Sequence, residues 1–201
     1  MSNVANAPAA RVRGVVFDLD GTLVIQRIDF DALRRDLGLP AGAPILEAMA
    51  DLPAAAWDVL DRHERAAAAT AELLPGVVEF LARLDALGVP RAVLTRNSRA
   101  AAAASLERCG LAGFAAVLAR DDAPFKPDPG GLLHMARTWG VAPHELLMVG
   151  DYVYDVRAGR AAGARTALVT HGRDLPFAAD ADVAFRDFAA VPELLWRWLA
   201  P

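Results

Sequence analysis

One cysteine and one lysine occur among the 201 residues, Cys109 and Lys126. A single cysteine excludes an internal disulfide and fits a reducing compartment. In "LERCGL" no histidine stands near enough in sequence to activate it, so Cys109 reads as a small core residue at a helix end and not as a nucleophile. Blocks of basic residues are also missing. The net charge is −4, with acids and bases spread along the chain, which argues against a nucleic-acid surface and against an acidic disordered tail. No apolar stretch reaches the ~20 residues that span a bilayer, and "MSNVANAPAARVRG" lacks the apolar centre of a signal peptide. The four histidines, His63, His134, His144 and His171, show no metal-ligand spacing; His171, in "THGRD" after an apolar run, is the one placed to border a site. These absences predict a soluble, cytoplasmic protein with neither nucleic acid nor membrane as partner, and they leave its oligomeric state open.

What is present is a hydrophobic content of 55%, enough for a sizeable core, though alanine runs swell the figure. Residues 1–12 read as a loose tail. "GVVF" is a buried strand by its short, β-branched apolar run. From 24 to 74 the pattern is helical. Asp29 can cap a helix that sets Phe30, Leu33 and Leu37 on one face and ends at Gly38; "PILEAMA" is a second helix; "PAAAWDVLDRHERAAAATAELL" is a long third one opening at Pro53. From Pro75 onward helix and strand alternate: strands at "RAVLT", "FAAVLA", "ELLMVG", "RTALVT" and "ADVAF", helices between them, and "VPELLWRWLA" as a closing helix. Alternating β and α with apolar strands predicts an α/β fold with a Rossmann-like, doubly wound parallel sheet. Residues 13–23 and 75–201 form its core, and 24–74 an inserted, all-helical cap.

Open sheets of this kind bind ligands where their strands end. Several strands here end in polar groups: Asp18 and Asp20 after "GVVF", Thr95, Arg96 and Asn97 after "RAVL", and Asp151 after Gly150, with Lys126 in the loop after "FAAVLA". Acids at i and i+2 share one side of an extended chain, and Gly21 permits a sharp turn beyond them. Converging carboxylates repel one another unless a cation joins them, and an all-oxygen donor set suits Mg²⁺, which keeps several waters and shares itself with a substrate phosphate. The lone lysine stands at this loop in a chain that writes arginine twenty times. A compact ammonium can touch a carboxylate and a phosphate where a guanidinium is too large, and Pro127 biases Lys126 toward extended backbone.

With those residues in order, "DLDGT" at 18–22, Thr95 closing "AVLT", Lys126 in "KPDP" and "GDYVYD" at 150–155, the chain resembles the haloacid dehalogenase-like (HAD) hydrolase superfamily, in its phosphatase branch and similar to the phosphoglycolate phosphatases. The resemblance covers residues 14 to about 190. It implies an aspartyl-phosphate on Asp18, acid/base work by Asp20, and Mg²⁺ held by the Asp18 side chain, the Asp20 carbonyl and Asp151. It further implies phosphate contacts from Thr95 and the Arg96 amide, Lys126 steadying Asp18 and the phosphate, and Asp155 in support. Asn97 is a candidate substrate contact from its place beside them. Asp20 favours phosphate esters over halides, since halide departure needs no acid. The expected substrate is a small phosphorylated metabolite.

Two departures from the family pattern concern substrate choice: Tyr152 replaces a small hydroxyl residue after Gly-Asp, and the 24–74 segment is shorter than the usual helical cap. Two rival readings share the residues. A phosphomutase keeps the same four motifs, and a non-catalytic phosphate switch of the receiver kind also gathers acids, a threonine and a lysine.

Overall fold

The structure, a computed structural model, describes residues 11–122 and 124–200. In chain order its elements are β1 (Gly14–Phe17), β2 (Val24–Ile25), α1 (Phe30–Asp36), α2 (Ile45–Ala48), α3 (Ala55–Ala68), β3 (Glu72–Leu73), α4 (Val77–Ala86), β4 (Arg91–Leu94), α5 (Arg99–Arg108), β5 (Ala116–Leu118), α6 (Gly130–Trp139), β6 (Leu146–Gly150), α7 (Val153–Ala162), β7 (Arg165–Val169), β8 (Val183–Phe185) and α8 (Glu193–Leu199). Six strands make one sheet in the order β5-β4-β1-β6-β7-β8, every pairing parallel. This is the Rossmann-like α/β fold the alternation predicts.

Strand periodicity builds the two cores. Val15 and Phe17 of β1 point to one face, into a cluster with Val77, Phe80 and Leu84 of α4 and Leu195, Trp198 and Leu199 of α8. Val16 points to the other, against Leu132, Met135 and Ala136 of α6 and Ala158 and Ala162 of α7. Because both faces are covered, β1 is fully buried and can carry no polar side chain before its end. The order also fixes where a ligand goes. From β1 the chain steps to β4 and β5 on one side, then returns to β6 on the other, so the crevice opens at the carboxyl ends of β1, β4 and β6.

The 24–74 segment departs from the all-helical expectation. Val24–Ile25 and Glu72–Leu73 pair as a short antiparallel ribbon, so the long third helix stops at Ala68. The chain leaves and re-enters the core side by side, and pairing satisfies backbone groups that a helix carried to Leu74 would leave unmatched. Between the ribbon strands, α1 to α3 enclose a small cluster of their own around Leu33, Met49, Ala56 and Leu60. Asp29 caps α1 as expected, its Oδ1 accepting from the amides of Asp31 (3.1 Å) and Ala32 (2.8 Å). Phe30 does not join that cluster and is 49% exposed. Glu64 of α3 is buried, accepts from the Ser98 amide (2.9 Å) and pairs with Arg120, which also holds Asp61 at 3.0 Å.

The tail expected over 1–12 lies outside the described residues up to residue 10. Val12 is already part of the core, its amide bonded to the Trp198 carbonyl at 2.7 Å. Helix α7 starts at Val153, and this places Asp155 in its first turn. No helix among the described residues is long and apolar enough to cross a membrane.

Candidate active site

Asp18 is the first residue beyond β1, and its amide still bonds to the Val149 carbonyl of β6 at 2.8 Å. Asp151 follows β6, and Asp155 reaches back from α7 to accept from the Tyr152 amide at 2.9 Å. Carboxylate oxygens of Asp18, Asp151 and Asp155 lie within 4.8 Å of one another. Two glycines make that closeness feasible. A Cβ on Gly150 would fall 2.1 Å from the Asp155 carboxylate carbon, and one on Gly21, whose φ is +78°, would fall 2.5 Å from Asp151 Oδ2.

Lys126 answers two of the three acids. Its ammonium is buried, donates to Asp18 Oδ1 and donates to Asp155 Oδ1 at 2.6 Å. Burial alone would lower the Lys126 pKa; Asp155 and Asp18 outweigh it and hold the group above its ordinary value. Burial raises Asp18 well above the carboxylate range, with Asp155 and Asp151 adding to the rise and Lys126 opposing it. Burial, then the charge of Asp155, also raises Asp151, against the pull of Arg173, whose Nη2 donates to Asp151 Oδ2 at 3.1 Å. The cluster is thus short of positive charge. Its donors are all oxygen, its glycines keep the centre open, and a divalent cation fits it on those grounds.

Asp20 stands apart from that trio. Its Oδ1 accepts from the Gln26 amide at 2.8 Å, and burial, reinforced by Asp151, raises its pKa from 3.8 to about 7. Thr95 is buried at the end of β4, its Oγ1 accepting from the Asn97 amide at 3.1 Å. Asn97 does not point freely at a ligand: its amide group donates to Gln26 Oε1 at 3.1 Å, and Gln26 in turn donates to Ser105 Oγ at 2.8 Å. The Arg96 side chain crosses toward the insertion. It donates to the Lys126 carbonyl (3.1 Å) and to Glu47 (2.7 Å), and stacks 4.1 Å from the Tyr154 ring centroid.

All eight candidate residues line one cleft of about 800 Å³ between the sheet edge and the insertion. Its wall also holds groups that sequence reasoning passed over: Gln26, Arg34, Glu47, Glu64 and Arg173. The strand-end rule, applied to the loop after β7, would have found Arg173 beside His171. His171 itself does border the site, where its Nε2 donates to the Gly21 carbonyl at 2.6 Å. Nothing in the local pattern marks Gln26 or Glu47. Cys109 lies away from the cleft against the core, and burial raises its thiol pKa.

Comparison with known proteins bears on this geometry. The model of a family described as haloacid dehalogenase-like hydrolase matches residues 12–163. A haloacid dehalogenase-like hydrolase domain-containing protein of Arabidopsis thaliana is 34% identical over 185 residues, covering 84% of this chain and 75% of that one. A phosphoglycolate phosphatase of Chromobacterium violaceum is 30% identical, covering 92% and 96%. Among solved structures, a HAD family hydrolase from Deinococcus radiodurans with bound phosphate and sodium superposes with a TM-score of 0.69 at 25% identity, over 95% of this chain and 98% of that one.

Proposed function

This chain belongs to the haloacid dehalogenase-like hydrolases and is a phosphoric monoester hydrolase, and on that premise we propose that it hydrolyses a small phosphorylated metabolite by a magnesium-dependent route through an aspartyl-phosphate on Asp18. The observation that carries the reading is the position of Lys126, buried between Asp18 and Asp155 in a cluster that still lacks positive charge.

Asp18 Oδ attacks phosphorus as the bond to the alcohol oxygen breaks. Asp20, with a pKa near 7, gives that oxygen its proton. The Asp20 carboxylate then takes a proton from water, whose oxygen displaces Asp18 and releases inorganic phosphate. Thr95 Oγ1 and the Arg96 amide are assigned to the phosphoryl oxygens. Asn97 holds Gln26, and through it the backbone that restrains Asp20. Since Lys126 already bridges Asp18 and Asp155, Mg²⁺ is assigned to Asp18, the Asp20 carbonyl and Asp151, with Asp155 supporting Lys126. Bound there, Mg²⁺ would offset the repulsion between the Asp18 carboxylate and the phosphate dianion.

Residues 24–74 act as the cap over this site, and the single cysteine supports a cytoplasmic setting. The test is phosphate release from a panel of phosphorylated metabolites with Mg²⁺ or a chelator, with Asp18→Asn as control. Release that needs Mg²⁺ and disappears in the variant is expected. A folded protein that releases phosphate from no ester sinks the reading, and isomer exchange without release points to a mutase instead.

A further inference from the structure

The cleft's walls differ in kind. Its floor holds the carboxylates and Lys126; its upper wall, from the insertion, is mostly apolar, with Ile28, Phe30 and Leu46 set among the polar Gln26, Arg34, Glu47 and Glu64. Few large hydrophobic side chains among the described residues are exposed, yet Phe30 (49%) and Tyr152 (51%) both line this one cleft. Tyr152 packs edge-on to Tyr154, centroids 5.2 Å apart, so its ring is braced and not adrift. Half-exposed aromatic groups on two sides of a cavity are unsatisfied apolar surface of the kind a ligand covers.

The charges in the cleft point the same way. Each arginine that lines it is already bonded to a carboxylate of the chain: Arg34 to Asp31 at 3.0 Å, Arg96 to Glu47 at 2.7 Å and Arg173 to Asp151 at 3.1 Å. Lys126 is held by two acids. A phosphoryl dianion relies on the floor of the site. A second anionic group on the same substrate would have to displace Glu47 from Arg96 or lie against it.

Building on the phosphatase reading, we propose that this site selects phosphomonoesters whose alcohol is bulky, uncharged and apolar or aromatic, and that Glu47 excludes small esters carrying a second anionic group such as a carboxylate. The aromatic walls supply attraction and Glu47 supplies the repulsive element that specificity requires. The volume of about 800 Å³ accommodates such an alcohol.

The experiment compares kcat/KM for 2-phenylethyl phosphate, ethyl phosphate and phosphoglycolate, with Mg²⁺ and the full chain. All three esters release an aliphatic alcohol, so leaving-group acidity does not decide the ranking. The phenylethyl ester is expected to lead both others by about tenfold or more, the scale on which apolar pockets discriminate. Phe30→Ala lowers the phenylethyl-to-ethyl ratio, and Glu47→Gln raises the phosphoglycolate-to-ethyl ratio, each by roughly fivefold or more. Phosphoglycolate turned over as well as the phenylethyl ester overturns this inference and leaves the phosphatase reading standing. Ratios that neither variant moves also overturn it. No release from any of the three, or from the wider metabolite panel, overturns both readings.

Discussion

The active site should cost this protein stability, and the cost should depend on pH in a calculable way. Asp20 has its pKa raised by burial from 3.8 to about 7. The folded chain therefore holds a proton that the unfolded chain releases. A raised acid stabilises the fold while it is protonated, and that contribution is lost as pH rises from the unfolded value toward the folded one. Below about pH 7 each pH unit carries about 1.4 kcal/mol, so moving from about pH 5.5 to about pH 8.5 should remove roughly 2 kcal/mol through Asp20 alone. Asp18 and Asp151 are raised as well and steepen the same trend. Lys126, held above its ordinary value, does not titrate in this window. The perturbation is Asp20→Asn, which keeps an oxygen to accept from the Gln26 amide but has no proton to lose. The assay is urea unfolding in chelator at both pH values. The metal-free wild type should weaken as pH rises, while Asp20→Asn should weaken by about 2 kcal/mol less and end more stable than the wild type at about pH 8.5. Added Mg²⁺ should rescue the wild type most at high pH. A wild type whose stability is flat or rising over this range, or a variant with the same slope, refutes the reasoning.

Other outcomes follow from the same cluster. Lys126→Arg puts a wider, planar group in a buried slot between two carboxylates; overpacking of that kind costs about 1–3 kcal/mol, and phosphate release should fall by roughly tenfold or more, with wild-type urea midpoint and turnover as the disproof. Gly21→Ala sets a Cβ 2.5 Å from Asp151 Oδ2 at a φ of +78°. It should lose about 1–2 kcal/mol from backbone strain and should also weaken the Mg²⁺-dependent rise in thermal stability. An unchanged half-saturating Mg²⁺ concentration would show that Asp151 had not been displaced.

The sequence exposed the parts of this molecule that obey short-range rules. Alternation of apolar strands and amphipathic helices gave the sheet, because burial on both faces leaves strands such as "GVVF" no polar positions. Asp18, Asp151, Asp155 and Lys126 were legible because each sits just beyond a strand, in its loop or in the helix turn that follows, where parallel sheets bring distant residues to one edge. The misses are all consequences of pairing at a distance. Glu72 and Leu73 read as helix since nothing nearby reports that Val24 and Ile25 will lie beside them. Phe30 read as a packed helix face since periodicity tells which residues share a side and not whether that side meets core or cleft. Asn97 does line the cleft as its loop suggested, but its bond to Gln26, 71 positions away, had no local signal.

These longer-range contacts divide the labour in the site. The carboxylate trio rests on core residues, through Gly150, Gly21 and the first turn of α7. Asp20 is different: its raised pKa depends first on burial, and the Gln26 amide that touches it belongs to the segment following β2, at the root of the insertion. Movement of that segment away from the core would act on Asp20 in two opposed ways, admitting water, which lowers its pKa, and removing the Gln26 amide bond, which raises it. On the proposed route, the acid that protonates the departing alcohol therefore answers to the insertion as well as to the core.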